Sequence, residues 1–261
     1  MHNGFVTRPG LDALIAEGQV APVAGWDFSW LEGRATEERP SWGYARMLVP
    51  RVADAASTLD IQTGGGEVFA EVLNQIGERA RHLAATESWP PNVEIARHKL
   101  HPLGVLIAEV PDDSALPFSS GEFDLVISRH PTLTMWSEIA RVLRPGGTYF
   151  SQQVGDGSNR ELADFMMGPR PVSQARSTER AVRLATEAGF DVVDLRQETL
   201  RTVFFDVGAV VYFLRKVVWT VPGFSVGAYR SQLAAMHEQI GREGAFIAHS
   251  RRFLIEAKKV V

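Results

Sequence analysis

Four groups of residues along the chain have types and spacings that could do chemistry. The first is the stretch Leu59-Asp60-Ile61-Gln62-Thr63-Gly64-Gly65-Gly66-Glu67, where a short apolar run ends on an acid and breaks into three glycines. A strand that turns sharply into a helix needs glycine for positive φ angles and for close approach of a ligand to the backbone. The helix that follows presents unpaired N–H groups and a positive dipole end to an anion. The second is Glu87, about 20 residues further on, where a carboxylate can accept both hydroxyls of a ribose. The third is Asp112-Asp113-Ser114, which can accept from a nucleobase amino group or cap a turn. The fourth is Arg129-His130, with a cation and an imidazole whose ordinary pKa lies near neutrality.

These groups need elements that bring them together, and the patterning supplies them. Thr58–Gln62, Arg81–Glu87, Val105–Val110, Phe123–His130 and Thr148–Gly155 read as five short strands. Val68, Phe69, Val72, Leu73 and Ile76 recur at helical spacing after the glycines, and a Pro-opened helix closes at Gly104. A further helix in 135–147 is expected to end at Pro145-Gly146-Gly147. Strands alternating with helices at this interval imply right-handed crossovers and a mostly parallel sheet covered on both faces. In such a sheet the ligand crevice lies beyond the carboxyl ends of the strands, where all four groups fall.

Around this core, residues 1–56 read as a helical lead, with Ser41 as N-cap of a helix that Pro50 should kink or divide. Residues 57–200 read as the α/β core, 201–245 as a helical insertion, and 246–261 as the last strand, all within one domain. Trp26, Phe28, Trp30, Trp42 and Tyr44 of the lead, with Phe205, Tyr212, Phe213, Trp219 and Phe224 of the insertion, could cap a flat or apolar substrate. Trp26 and Tyr44 are the candidates there. Gln152 and Gln153 alternate across the fifth strand, so only one faces the crevice, and Gln153 is the choice. Trp136 is expected to pack beside its own helix.

Composition narrows the chemistry. Of 261 residues, 45% are hydrophobic and 22% charged, an ordinary globular balance. The formal charge of −4 argues against a nucleic-acid binder that works by phosphate neutralisation. There is no cysteine, which excludes disulfides, thiolate metal sites and cysteine nucleophiles. The histidines lack metal-ligand spacing, so no metal is expected. No Gly-x-Ser-x-Gly elbow is present for a hydrolase. The N-terminal residues lack a secretory pattern and no apolar run reaches membrane length, so a cytoplasmic protein without a membrane partner is the expectation.

Taken in order, LDIQTGGGE, ATE, PDDSALPF, GEFDLVISRH and EIARVLRPGGTYF resemble the class I S-adenosylmethionine-dependent methyltransferases of the type with a Leu-Pro-Phe segment before the fourth strand. The resemblance covers residues 57 to 154. It implies a Rossmann-like, doubly wound, seven-stranded α/β sheet with an antiparallel last strand. It also implies that Asp60, Thr63, Gly64 and Gly66 hold the methionine part of S-adenosylmethionine, and that Glu87 binds the ribose. Asp112 or Asp113 with Ser114 would meet the adenine, and Arg129 and His130 would lie beside the methyl group, His130 as candidate base. Gln62 stands among the cofactor contacts, where the family usually has its first glycine. The acceptor implied is a small molecule, since the Asp/Asn-Pro-Pro-aromatic segment of amino-methylating nucleic-acid enzymes is replaced by Ser128-Arg129-His130-Pro131. Two other readings stand beside it. One is a nicotinamide-dependent oxidoreductase, disfavoured because Phe69 stands where Gly-x-Gly-x-x-Gly needs its third glycine. The other is a cofactor-binding module of the same fold with lost turnover.

Overall fold

A computed structural model describes residues 9–23, 25–77 and 82–260. The first eight residues of the lead and Arg81, read above as the start of a strand, lie outside the described residues.

In chain order the elements are α1 (Leu11–Val20), β1 (Ala35–Glu37), α2 (Tyr44–Asp54), β2 (Ser57–Asp60), α3 (Glu67–Ile76), β3 (His82–Glu87), α4 (Pro90–Leu100), β4 (Val105–Glu109), β5 (Phe123–Arg129), α5 (Trp136–Val142), β6 (Leu143–Val154), α6 (Arg160–Met167), α7 (Thr178–Glu187), β7 (Phe190–Phe204), α8 (Val207–Lys216), α9 (Arg230–Glu243) and β8 (Phe246–Lys259). The sheet has eight strands in the order β1-β7-β8-β6-β5-β2-β3-β4. β6, β5, β2, β3 and β4 are parallel neighbours, and β8 pairs antiparallel with β6. The expected seven strands become eight because Ala35–Glu37, in the lead, pairs antiparallel with the end of β7. Among the described residues no helix is long and apolar enough to cross a membrane.

The chain divides into two compact units. The larger comprises 39–158, 172–200 and 251–261, and the parallel strands are its frame. On one face Leu48, Val52, Phe69, Val72, Ala96 and Leu100 of α2, α3 and α4 pack on Leu83, Leu125, Ile127 and Phe150. On the other, Trp136, Ile139 and Val142 of α5 and Ala185 of α7 pack on Leu59, Val126, Tyr149 and Phe253. Burial on both faces explains why these strands are apolar runs rather than alternating ones.

Three local expectations are corrected in this unit. The helix expected to start behind Ser41 starts at Tyr44, with Gly43 as N-cap at φ +63°. Ser41 instead gives its N–H (3.0 Å) and its hydroxyl to Glu198. Pro50 does not divide α2, which runs on to Asp54. The helix expected to end at Pro145-Gly146-Gly147 ends at Val142, and those residues begin β6. Pairing with β5 jumps there from Leu143 to Thr148, a bulge that Gly146 accommodates at φ +74°.

The smaller unit comprises 1–38, 159–171 and 201–250. Its centre is α8, apolar around its whole circumference and buried from Val207 to Leu214. Asp206 caps it, accepting from the Ala209 N–H at 2.9 Å, and is gripped by both arms of Arg34 at 2.8 Å. Leu14 and Ile15 of α1, Leu162 and Met166 of α6 and Leu233, Met236 and Ile240 of α9 complete that core.

Candidate functional site

The strand order reverses between β2 and β5, because β2 leads away to β3 and β4 while β5 leads to β6. A doubly wound sheet opens a crevice at this switch point. The glycine loop leaves β2 there, and His130–Thr134 leaves β5 beside it.

The loop is held by its neighbours. The Thr63 N–H donates to the Thr86 carbonyl at 2.9 Å, and the Gly64 N–H donates to Glu87 Oε2 at 2.7 Å. Oε1 of the same carboxylate receives the N–H groups of Ser88 (3.1 Å) and Trp89 (3.0 Å). Burial raises the Glu87 pKa, opposed by these backbone donors, with Asp112 adding to the rise. Asp60 is buried and accepts the Thr63 hydroxyl at 2.6 Å. Its carboxyl is pushed up to about 7, chiefly by burial, with the Thr63 hydroxyl lowering it and Glu87 raising it. Gly66 caps α3 at φ +77°, and a Cβ there would stand 2.7 Å from Leu100 Cδ1, so this position admits glycine alone.

Gln62 also takes a left-handed backbone, at φ +57°. Its side chain clamps the loop after β5: Oε1 accepts from the Thr132 N–H (2.6 Å) and hydroxyl (2.9 Å), and Nε2 donates to the Leu133 carbonyl (2.8 Å). The Thr132 hydroxyl also lies against Asp112 Oδ2. Gln62, Asp112 and Ser114 line a cleft of ≈ 410 Å³, open to solvent, with Thr86, Leu133 and Thr134. Asp113 is exposed and does not line it. Thr86, Thr132 and Thr134 were missed in the sequence because nothing local marks them; only the loop's return to the cleft does.

For Gln62→Gly we expect global stability to stay within about 1 kcal/mol. Relief of the left-handed strain offsets three solvent-accessible hydrogen bonds of similar size. The Thr132 amide should nevertheless exchange faster, and hydrogen exchange resolved to that residue checks it. Unchanged exchange would mean that Gln62 does not hold the loop.

At the other side of the crevice, Arg129 ends β5 opposite Gln152. The acids nearest to it in sequence pair elsewhere, Asp124 with Arg144 (2.9 Å) and Glu138 with Arg141 (2.8 Å). His130 has φ +55°, and its N–H donates to the Gln152 carbonyl at 2.7 Å. Its pKa lies well below the usual value because the half-buried ring is desolvated, with Arg129, Arg252 and Arg176 adding to the fall. Nε2 is engaged by the Gln152 side chain at 2.9 Å. A neutral ring whose Nε2 is already bonded is poorly set to take a proton.

Gln153 lies beside the cleft, with Oε1 3.4 Å from the Thr134 hydroxyl. Tyr44 does not face an acceptor. It is buried, donates to the Ser128 carbonyl at 2.8 Å and stacks on Phe150 with centroids 5.4 Å apart. Its aromaticity serves the core. Trp136 likewise packs, edge-on to Tyr149 and Phe190. Trp26, in the smaller unit, is 43% exposed and leans on Phe28 and Trp219 at 6.3 and 5.8 Å.

Comparison with known proteins agrees with this architecture. Residues 59–151 match the family model described as a methyltransferase domain. No curated protein sequence matches the chain. A Bacillus halodurans protein assigned to the methyltransferases superposes with a TM-score of 0.56 at 15% identity, over 82% of this chain and 98% of that one. The [4+2]-cyclase SpnF superposes at 0.51 and 20% identity, over 96% and 92%. A Haemonchus contortus phosphoethanolamine N-methyltransferase, solved with phosphomonomethylethanolamine and S-adenosylhomocysteine, superposes at 0.50 and 17% identity, over 84% of this chain and 53% of that one. At such identities the superpositions establish the fold. Residues 59–151 thus match a methyltransferase-domain family, and the chain shares the Rossmann-like fold of these structures.

Proposed function

We propose that the chain binds S-adenosylmethionine and transfers its methyl group to a small-molecule acceptor. The observation that carries this reading is the Glu87 carboxylate, which closes β3 and accepts from Gly64 of the glycine loop. Oε1 already accepts two N–H groups, and Oε2, which accepts one, keeps a lone pair for a ribose hydroxyl. The residues fit the group. Thr63, Gly64 and Gly66 lead into the N-terminus of α3, where an α-carboxylate is favoured, and Asp60 receives the α-ammonium. Asp112 and Ser114, in the cleft, take the adenine edge, while Asp113 has no part in it. When bound, the cofactor supplies the electrophilic methyl in an in-line displacement, and the protein's task is alignment. Arg129, His130 and Gln153 line the acceptor side.

The first test is calorimetric titration of the full chain with S-adenosylhomocysteine, with NAD as control. Binding of the first alone is expected, and binding of NAD alone would replace this reading with the oxidoreductase. A second reading, a binding module without turnover, draws on the Thr132 contacts that engage both Gln62 and Asp112. It predicts adenosylhomocysteine binding with no methyl transfer to any acceptor in a screen.

Asp60 gives the binding a pH signature. Its folded pKa is raised to about 7, so the folded protein keeps a proton that the unfolded chain loses near 4. Stability from this group is therefore full at low pH and is lost as pH rises towards 7. An ammonium beside Asp60 favours the ionised form, so binding below pH 7 releases a proton. Adenosylhomocysteine affinity should rise about tenfold from pH 6 to pH 8, and Asp60→Asn should flatten the profile. An equal slope in the Asn variant would remove Asp60 from the ammonium contact.

A further inference from the structure

A hydrogen-bonded chain of three side chains ends on the imidazole at the mouth of β5. The Trp42 indole Nε1 lies 2.8 Å from Oε1 of Gln152, and Nε2 of Gln152 lies 2.9 Å from Nε2 of His130. An indole nitrogen only donates, so the Gln152 atom facing it must be the carbonyl oxygen. The atom facing His130 is then the amide NH2, which also only donates. His130 Nε2 must therefore present its lone pair, and the one proton of the neutral ring sits on Nδ1.

The chain has little freedom to rearrange. Trp42 and Gln152 are 4% and 3% exposed, so water does not compete for their polar atoms. Gln152 is pinned in mid-sheet, opposite Arg129 of β5 on one side and Leu254 of β8 on the other. A flipped amide would set its NH2 against the indole N–H and leave two buried donors unsatisfied. The backbone adds a second tether, the His130 N–H to the Gln152 carbonyl at 2.7 Å. The charged groups acting on the ring are Arg129 at the end of β5, Arg252 in β8 and Arg176 in the turn before α7, all of which oppose an imidazolium.

We infer that Trp42 and Gln152 are positioning residues that lock His130 as its neutral Nδ1–H tautomer, making it a hydrogen-bond donor to the acceptor molecule and not the base that deprotonates it. The only unprotonated ring nitrogen is already taken by Gln152. The acceptor class that suits this site carries an oxygen acceptor, such as a carboxylate, carbonyl or phosphate oxygen, near a nucleophile with no proton to give to His130. This consequence for the acceptor rests on the methyl-transfer reading, whereas the tautomer does not.

The test is a long-range 1H–15N correlation spectrum of the histidine rings in the full, 15N-labelled chain without ligand, with His130→Asn to assign the resonance. Expected is a protonated Nδ1 and an unprotonated Nε2, unchanged from pH 8 to pH 6. Gln152→Glu sets an accepting carboxylate against Nε2, and should move the proton to Nε2 and bring the ring's titration into that range. Trp42→Phe frees the Gln152 amide to flip and should give a mixture of tautomers. A protonated Nε2 in the unsubstituted chain overturns the inference, as does a spectrum that neither substitution changes. Adenosylhomocysteine titration of the same samples separates the two readings. The expected tautomer without binding removes only the methyl-transfer reading, and the wrong tautomer with intact binding removes only the lock.

Discussion

Glu87→Ala should weaken adenosylhomocysteine binding by about tenfold to a hundredfold while leaving the chain folded. A ribose hydroxyl donating to the free lone pair of Oε2 is a charge-assisted contact of about 1.5–3 kcal/mol, and it vanishes with the side chain. The loop suffers as well. Gly64 is buried, and its N–H, now 2.7 Å from Oε2, would be left without its acceptor. An orphaned buried N–H costs about 1–3 kcal/mol. Against this, the substitution removes a carboxylate whose pKa burial has raised, so part of the stability loss is returned. The net expectation is a drop in unfolding free energy of about 1–2 kcal/mol, too small to unfold the chain, beside the loss in affinity. Glu87→Gln, which keeps one accepting oxygen, should fall between. Calorimetry and chemical denaturation on the same samples read both effects. Affinity within threefold of the unsubstituted chain would remove Glu87 from the ribose.

Gly18→Ala should be the more damaging change to the fold, although alanine is the better helix former by about 1 kcal/mol. Gly18 lies in α1, and a Cβ there would stand 2.4 Å from the Gly208 carbonyl oxygen and 3.0 Å from Val211 Cβ of α8. The contact is mutual, since a Cβ on Gly208 would stand 2.5 Å from the Leu14 carbonyl oxygen. The obstacle is backbone, so no rotamer relieves it and the helices must move apart. Arg215 resists that movement, because it donates from α8 to the carbonyls of Gly18 (2.7 Å) and Ala21 (2.9 Å). Overpacking of this kind costs about 1–3 kcal/mol, and the lost Arg215 bonds add about 1 kcal/mol each, which outweighs the gain in propensity. We expect a net loss of about 2–4 kcal/mol by denaturant unfolding. Gly241→Ala is the control. It lies in α9 of the same unit with nothing within 4 Å of the added Cβ, and should stabilise by about 0.5–1 kcal/mol. Equal effects at the two positions would mean that α1 and α8 do not pack through these glycines.

The sequence by itself determined the frame of the site. The alternation of apolar strands with helices, the glycine turn behind Asp60 and the acid at the end of the next strand are local signals. They placed Asp60, Gly64, Gly66 and Glu87 at one end of a parallel sheet, because a strand's carboxyl end faces the crevice whatever surrounds it. The tertiary structure decided whatever depended on partners distant in the chain. Gln62 is a loop clamp because Thr132 and Leu133, some 70 residues on, come back beside it. The short segment Ala35–Glu37 is a strand because the end of β7 offers it a pairing edge. Tyr44 is core because Ser128 and Phe150 enclose it. His130 reads as a candidate base from its residue type and its place after the fourth strand, but its protonation depends on an amide oriented by an indole 110 positions from that amide in the chain. Residue type sets which atoms can donate or accept, and only the packed neighbours decide which of them still can.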